Sequence, residues 1–253
     1  MPWLCLYAPA SVGRLRSFLP AIAIAMMVGG ASSGRAESPS QAGCAPSAAG
    51  QAFRHLPAPY APSADTEIAH TRIGGHDFFV PRNFFRHPQI GCGADESGML
   101  LRVLLPEMEG YTERNTREIE GLDKPGWGRR MNILVEGFGQ FSGFTPRTFQ
   151  IFTSGVDHTA AYPTRHGLLY TPSRRRAGGP RSTIDVYFDR ENGDVIRFIV
   201  CNDVAAVPSP GCEHRFVYEN LRVKATYDRG RLASWAEIET NVRALLDRFR
   251  KAR

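Results

Sequence analysis

Residues 182–249 constrain the fold more than any other part of the chain. Ile184-Asp185-Val186-Tyr187-Phe188 has the β-branched and aromatic composition of a strand. Asn192-Gly193 sits inside residues 189–194, and both residues tolerate the left-handed backbone that a tight hairpin turn needs. Residues 195–201 therefore read as the returning strand. Residues 212–218 and 221–227 repeat the arrangement around Glu219-Asn220. A helix follows from about Trp235, where Ser234-Trp235-Ala236-Glu237 has the form of a capping box. Trp235, Ile238, Val242, Leu245 and Phe249 recur at three- and four-residue steps and make one apolar stripe. Arg248, Arg250, Lys251 and Arg253 gather at the far end, where cations complement the helix dipole.

The rest of the chain reads in shorter pieces. Residues 68–73 and 77–80 flank Gly74-Gly75, a hairpin signal that Pro81 and Pro88 bring to an end. Residues 98–105 are almost continuously apolar, which predicts a central strand covered on both faces, stopped by Pro106. A short helical turn is expected at 115–119, and further strands at 131–138, 149–153 and 168–170. In the Gly- and Phe-rich stretch of residues 137–144, the glycines allow turns while the phenylalanines fill the core. Together these elements predict one α+β domain over residues 65–253. Its architecture is an antiparallel sheet of six to nine strands with one long C-terminal amphipathic helix packed on it.

The N-terminus predicts export. Arg14 and Arg16 precede an apolar run at residues 18–28, and Gly34-Arg35-Ala36 fits a small-x-small cleavage site, so residues 1–36 read as a signal peptide. The run falls short of the ~20 residues that span a bilayer, which weighs against the alternative of an uncleaved membrane anchor. Residues 37–64, rich in Ala, Pro and Ser, are expected to form a flexible arm. Loss of the leader lowers the Lys and Arg count from 31 to 28 against 25 acids, a net charge near +3. That mild balance calls for no nucleic-acid partner. Four cysteines remain, and an even number in an exported chain favours disulfides. Cys201 ends one strand and Cys212 begins the next, which predicts their pairing and, by elimination, Cys44 with Cys92. The spacings lack the paired C-x-x-C form of zinc sites, and neither a metal nor a cofactor is expected.

No nucleophile elbow, phosphate loop or H-E-x-x-H helix occurs. His70 and His76 flank a hairpin turn and are placed to face each other, with His87 further on, yet a metal site needs a third ligand and an orienting partner. Asp157 and His158 lie near Ser154, with His166 beyond, in the composition of an acid–base set. Adjacent residues on extended chain point opposite ways, however, so Asp157 is poorly placed to orient His158. The strongest binding feature is cationic. Arg174, Arg175 and Arg176, supported by Arg165 and Arg181, put guanidinium forks on a mobile segment, where they suit carboxylates and phosphates.

The pattern Cys201, Cys212-x-His214-x-Phe216, a strand ending at Tyr227, then Leu232-x-x-Trp235-x-x-Ile238 resembles uncharacterised exported proteins of Gram-negative bacteria. Ile73-Gly74-Gly75, Val80-Pro81-Arg82-Asn83-Phe84 and Leu105-Pro106-Glu107-Met108 before Thr112-x-x-Asn115 are similar to the same group. The likeness spans residues 68–119 and 184–249. Some members resemble periplasmic immunity proteins that accompany type VI secretion toxins. The resemblance implies a non-catalytic periplasmic module that binds a protein, a secreted toxin among the candidates. The alternatives are an envelope hydrolase built on a His/Asp/Ser set and an envelope structural or adaptor protein.

Overall fold

The computed structural model describes residues 64–86, 92–121, 126–137, 144–174, 183–205 and 207–251. The expected leader, and the expected arm up to residue 63, lie outside these residues. Strands β1 (Ile68–Ile73) and β2 (His76–Pro81) pair antiparallel around Gly74 and Gly75, whose φ of 56° and 85° are left-handed. Strand β3 (Cys92–Glu96) joins β1 in parallel, giving a small sheet in the order β2-β1-β3. The main sheet is antiparallel and eight-stranded among the described residues. It contains β4 (Gly98–Leu104), β5 (Arg130–Gly137), β6 (Thr164–Arg165), β7 (Leu168–Arg174), β8 (Thr183–Glu191), β9 (Asp194–Asn202), β10 (Gly211–Tyr218) and β11 (Leu221–Asp228). Their order is β4-β5-β11-β10-β9-β8-β7-β6. Helices α1 (Thr116–Glu120), α2 (Pro146–Phe152) and α3 (Trp235–Lys251) complete the fold, an α+β architecture.

Both C-terminal hairpins form where their turn residues predict. Asn192 and Gly193 adopt φ of 51° and 90°, and Glu219 adopts 54°. Phe216 stands opposite Val223 and Val186 opposite Val200, and the β8–β9 register shifts between Asp189 and Arg190. Cys201 and Cys212 stand opposite each other on β9 and β10, Cα atoms 4.0 Å apart and sulfurs at disulfide distance. Cys92 opens β3, whereas Cys44, and with it the expected Cys44–Cys92 pairing, lies outside the described residues.

Two local expectations need correction. Residues 149–152 belong to a helix and Thr153 caps its end: Thr145 caps the start of α2, its Oγ1 accepting from the Thr148 N–H at 3.1 Å, and Pro146 fills the first turn. The apolar run at 98–105 forms an edge strand of the main sheet. Met99, Leu101 and Val103 are fully buried on one face, while Leu100 and Arg102 alternate outward, and an isolated bridge between Phe85 and Leu101 closes its free side. The last helix starts at Trp235, where the sequence places it. A 3-10 turn at Arg229–Ser234 leads into it, capped by Asp228, whose Oδ1 accepts from the Gly230 N–H at 2.7 Å.

The main sheet has two unequal faces. On one, α3 lays Ile238, Val242, Leu245, Leu246 and Phe249 over the inward residues of β10, β11, β5 and β4, and β2 packs beside it. Phe84 meets Phe249 edge-on at 5.0 Å. On the other face α2 and its flanks pack chiefly on β8 and β9, with Phe149 among Phe188 and Phe198 at 5.2 and 5.4 Å and Leu169 of β7 and Val217 of β10 at the margin. Each such side chain, once buried, contributes about 1.5–3 kcal/mol of transfer free energy.

Candidate binding surface

The β6–β7 hairpin turns at His166 and Gly167, φ 52° and 79°, and carries the first of the cations read from sequence. Arg165 is exposed and lays its guanidinium 3.9 Å above the Tyr170 ring. Tyr170 donates its hydroxyl to Asp185 Oδ1 at 2.9 Å, and Arg229, from the turn before α3, pairs with the other oxygen of the same carboxylate. Arg229 also donates to the Asn202 carbonyl, tying that turn to the end of β9. Tyr187 packs on Tyr170 with centroids 5.0 Å apart, and the His166 carbonyl accepts from the Trp235 indole N–H at 2.7 Å. Burial pushes both tyrosine hydroxyls up from their ordinary value, and the Asp185 carboxylate adds to it. Tyr, Trp and Arg in contact, with one guanidinium left in solvent, are the residue types that anchor protein interfaces.

Arg174 ends β7 opposite Thr183, while Arg175, Arg176 and Arg181 lie outside the described residues. Arg165 enters the hairpin opposite Leu168. The length of β7, roughly 20 Å at strand rise, therefore separates the backbones of Arg165 and Arg174. Arg165 belongs to the tyrosine cluster instead. Asp185 and Arg229 escaped the sequence reading because 44 residues part them and only strand register brings them together.

A second polar cluster is structural. His214 is fully buried and its Nε2 lies 3.1 Å from Glu239 Oε2 on α3. Arg243 bonds the other Glu239 oxygen at 2.7 and 2.9 Å and reaches the Val217 carbonyl, while the Arg197 Nε approaches Oε2 at 3.2 Å. Burial holds the His214 imidazole below its ordinary value. Burial raises the Glu239 carboxyl too, but His214, Arg243 and Arg197 outweigh it and hold the group at about 2. The cluster pins α3 to β9 and β10.

The remaining histidines do not converge. His70 stacks on Phe79 and reaches Asp77 at 2.9 Å, a carboxylate shared with Arg72. Register places His76 opposite Ile73, and its ring turns to Asn220 and Glu219. The two therefore do not face each other, and His87 lies outside the described residues. Asp157 is engaged by the N–H and hydroxyl of Thr159 at 2.9 and 2.7 Å, which hold its carboxyl below the usual range. His158 instead packs edge-on against Phe149. Among the described residues, no three His, Cys, Asp or Glu side chains gather as a metal-binding group. A cleft of about 770 Å³ opens between Trp127 and Arg231, but its acids are occupied: Glu118 pairs with Arg129 at 2.8 Å and Asp228 caps the turn. No helix among the described residues is long and apolar enough to cross a membrane.

No protein-family model and no curated protein matches the chain. Among solved structures, Smlt3025, an immunity protein of the Stenotrophomonas maltophilia type IV secretion system, has a TM-score of 0.52 at 16% identity. The match covers 74% of this chain and 94% of that one. FrpD, an iron-regulated outer membrane lipoprotein of Neisseria meningitidis, has a TM-score of 0.46 at 13% identity, covering 75% and 96%. The likeness to Smlt3025 is one of fold.

Proposed function

We propose that this chain is an exported, non-catalytic protein that acts by binding another protein in the periplasm, with neutralisation of a secreted toxin as its specific role. The observation that carries this reading is the fold held in common with an immunity protein over 94% of that protein's length. The leader motif at residues 1–36 supports export. The exposed Arg165 over Tyr170, and the arginines that follow β7, supply donors for an acidic partner surface. Asp157 is bound to Thr159 rather than to His158, which favours binding over a hydrolytic set. The solved neighbour serves a type IV system, whereas the sequence resemblance points to type VI toxins. The proposal therefore concerns toxin binding and names no class of secretion machine.

Tagged protein recovered from the periplasm is expected to carry a protein partner, and its co-expression is expected to protect cells from that partner. Replacing Arg165, Arg174, Arg175, Arg176 and Arg181 together by Ala is expected to weaken association on the order of tenfold and to flatten its salt dependence. Recovery of the protein alone under all conditions, with no protection, overturns the reading.

A further inference from the structure

The sheet face turned away from α3 is only partly covered. Beyond α2 it opens into a trough of about 450 Å³ walled by Trp127 and Phe152, with Val200, Glu213, Arg215 and Thr226 on its floor. Trp127 stands there because residue 211 is glycine: a Cβ on Gly211 would meet the indole nitrogen at 2.8 Å. Phe152 is 38% exposed.

Where the floor passes from Arg215 to its cross-strand neighbour Lys224, just outside the trough lining, the charges are arranged against the stability of the sheet. Arg215 on β10 stands directly opposite Lys224 on β11, and alternation turns both to the same outward face. Like charges directly opposite destabilise a strand pair. Glu213 answers Arg215 at 2.8 Å, but among the described residues Lys224 forms no ion pair. The Arg215 guanidinium lies 3.8 Å over the Phe152 ring, and its Nε is buried without a partner. A cation pair retained at a cost, beside exposed apolar groups, has the chemistry of a surface completed by something else.

We propose that this trough is a docking surface for a loop of the partner protein that presents a carboxylate to Lys224 and Arg215 and an apolar side chain between Trp127 and Phe152. The assignment rests on the protein-binding reading above and adds to it a second surface and a partner chemistry. Glu213 on the floor disfavours an evenly charged polyanion such as nucleic acid, and Trp127 and Phe152 ask for an apolar group that a phosphate backbone lacks.

The test uses the mature full-length protein and three probes: a pool of fluorescent hexapeptides combining Asp or Glu with Leu or Phe, a charge-matched oligonucleotide, and anionic phospholipid vesicles. Wild type is expected to retain the acidic peptides in preference to the other two. Lys224→Glu is expected to lower peptide affinity about tenfold while raising the thermal midpoint, since it converts a like-charge pair into an attractive one. Phe152→Ser, in the trough wall, is expected to weaken peptide binding. No peptide retention, equal retention by Lys224→Glu, or preference for oligonucleotide or vesicles overturns the proposal. Co-purification separates this failure from that of the underlying reading. Loss of the partner from Lys224→Glu, with retention by Thr240→Ala on the exposed side of α3, supports the trough. Retention by both variants overturns the trough alone, and a wild type with no partner overturns both.

Discussion

The two faces of the main sheet are built from alternate residues of the same strands, yet they do different things. The face under α3 joins β4, β5, β9, β10 and β11, the small sheet and the helix in one contiguous core, and contains the buried His214–Glu239 contact. The opposite face has a smaller aromatic cluster under the seven-residue α2, then, among the described residues, half-buried side chains of mixed polarity across β10, β11, β5 and β4. Stability is thus concentrated on one side. The other is free to carry charges and exposed aromatics that a core would not tolerate.

Truncation of one large side chain from each cluster tests that division most severely. Phe249→Ala is expected to cost about 4–5 kcal/mol, because Phe249 is 2% exposed and wedged between Phe84 and the sheet. Phe149→Ala, in the smaller cluster, is expected to cost about 3 kcal/mol, the lower end of the range, since a short helix at the rim can settle into the cavity. Urea unfolding of both variants measures the difference. An equal or reversed order breaks the comparison.

Next in size is the buried ionic contact. Glu239→Gln leaves Arg197 and Arg243 facing a neutral amide and is expected to cost about 3 kcal/mol. The same cluster sets the response to acid. The folded state holds His214 below its ordinary value and Glu239 at about 2, so the unfolded chain takes up protons first at both groups. The His214 contribution is lost as pH falls through about 6.5, where the free imidazole titrates, and the Glu239 contribution as pH falls from about 4.5 toward 2. Urea midpoints are expected to decline from pH 7 toward pH 2 in wild type. In Glu239→Gln the lower part of that decline is expected to vanish. A midpoint that rises in acid contradicts this assignment of the cluster.

What sequence could reveal followed the same division between local and long-range information. The hairpins around Asn192-Gly193 and Gly74-Gly75 announce themselves because turn geometry is decided by the residues that make it. The α3 stripe is equally local: Trp235, Ile238, Val242, Leu245 and Phe249 all turn to the core. Residues 149–153 misled because Phe149, Ile151 and Phe152 have strand composition, whereas the Thr145-Pro146 start signal lies just upstream. The edge position of β4 was hidden because Met99, Leu101 and Val103 look the same in sequence whether a neighbour lies on one side or two. The surfaces were the least visible. Arg165 over Tyr170 and Arg215 opposite Lys224 depend on cross-strand register, which no short stretch of residues contains.

The smallest effects come from one strand, where consecutive residues sample the two faces at the same depth in the sheet. Val135 on β5 is fully buried against the helix side, and Leu134 beside it points outward and pairs with Leu100. Val135→Thr keeps the shape but buries a hydroxyl, and is expected to cost about 1–3 kcal/mol. Leu134→Thr places its hydroxyl on the open face and is expected to stay within about 0.5 kcal/mol of wild type. Thermal and urea midpoints of the two variants resolve the difference. If Leu134→Thr proves as damaging as Val135→Thr, the outward face of β5 is itself packed in the free protein and cannot be surface held open for a partner. If it is neutral, the apolar Leu100–Leu134 pair beside Arg222 and Lys224 is surface that folding does not require. A partner then has both the apolar area and the charge to use it.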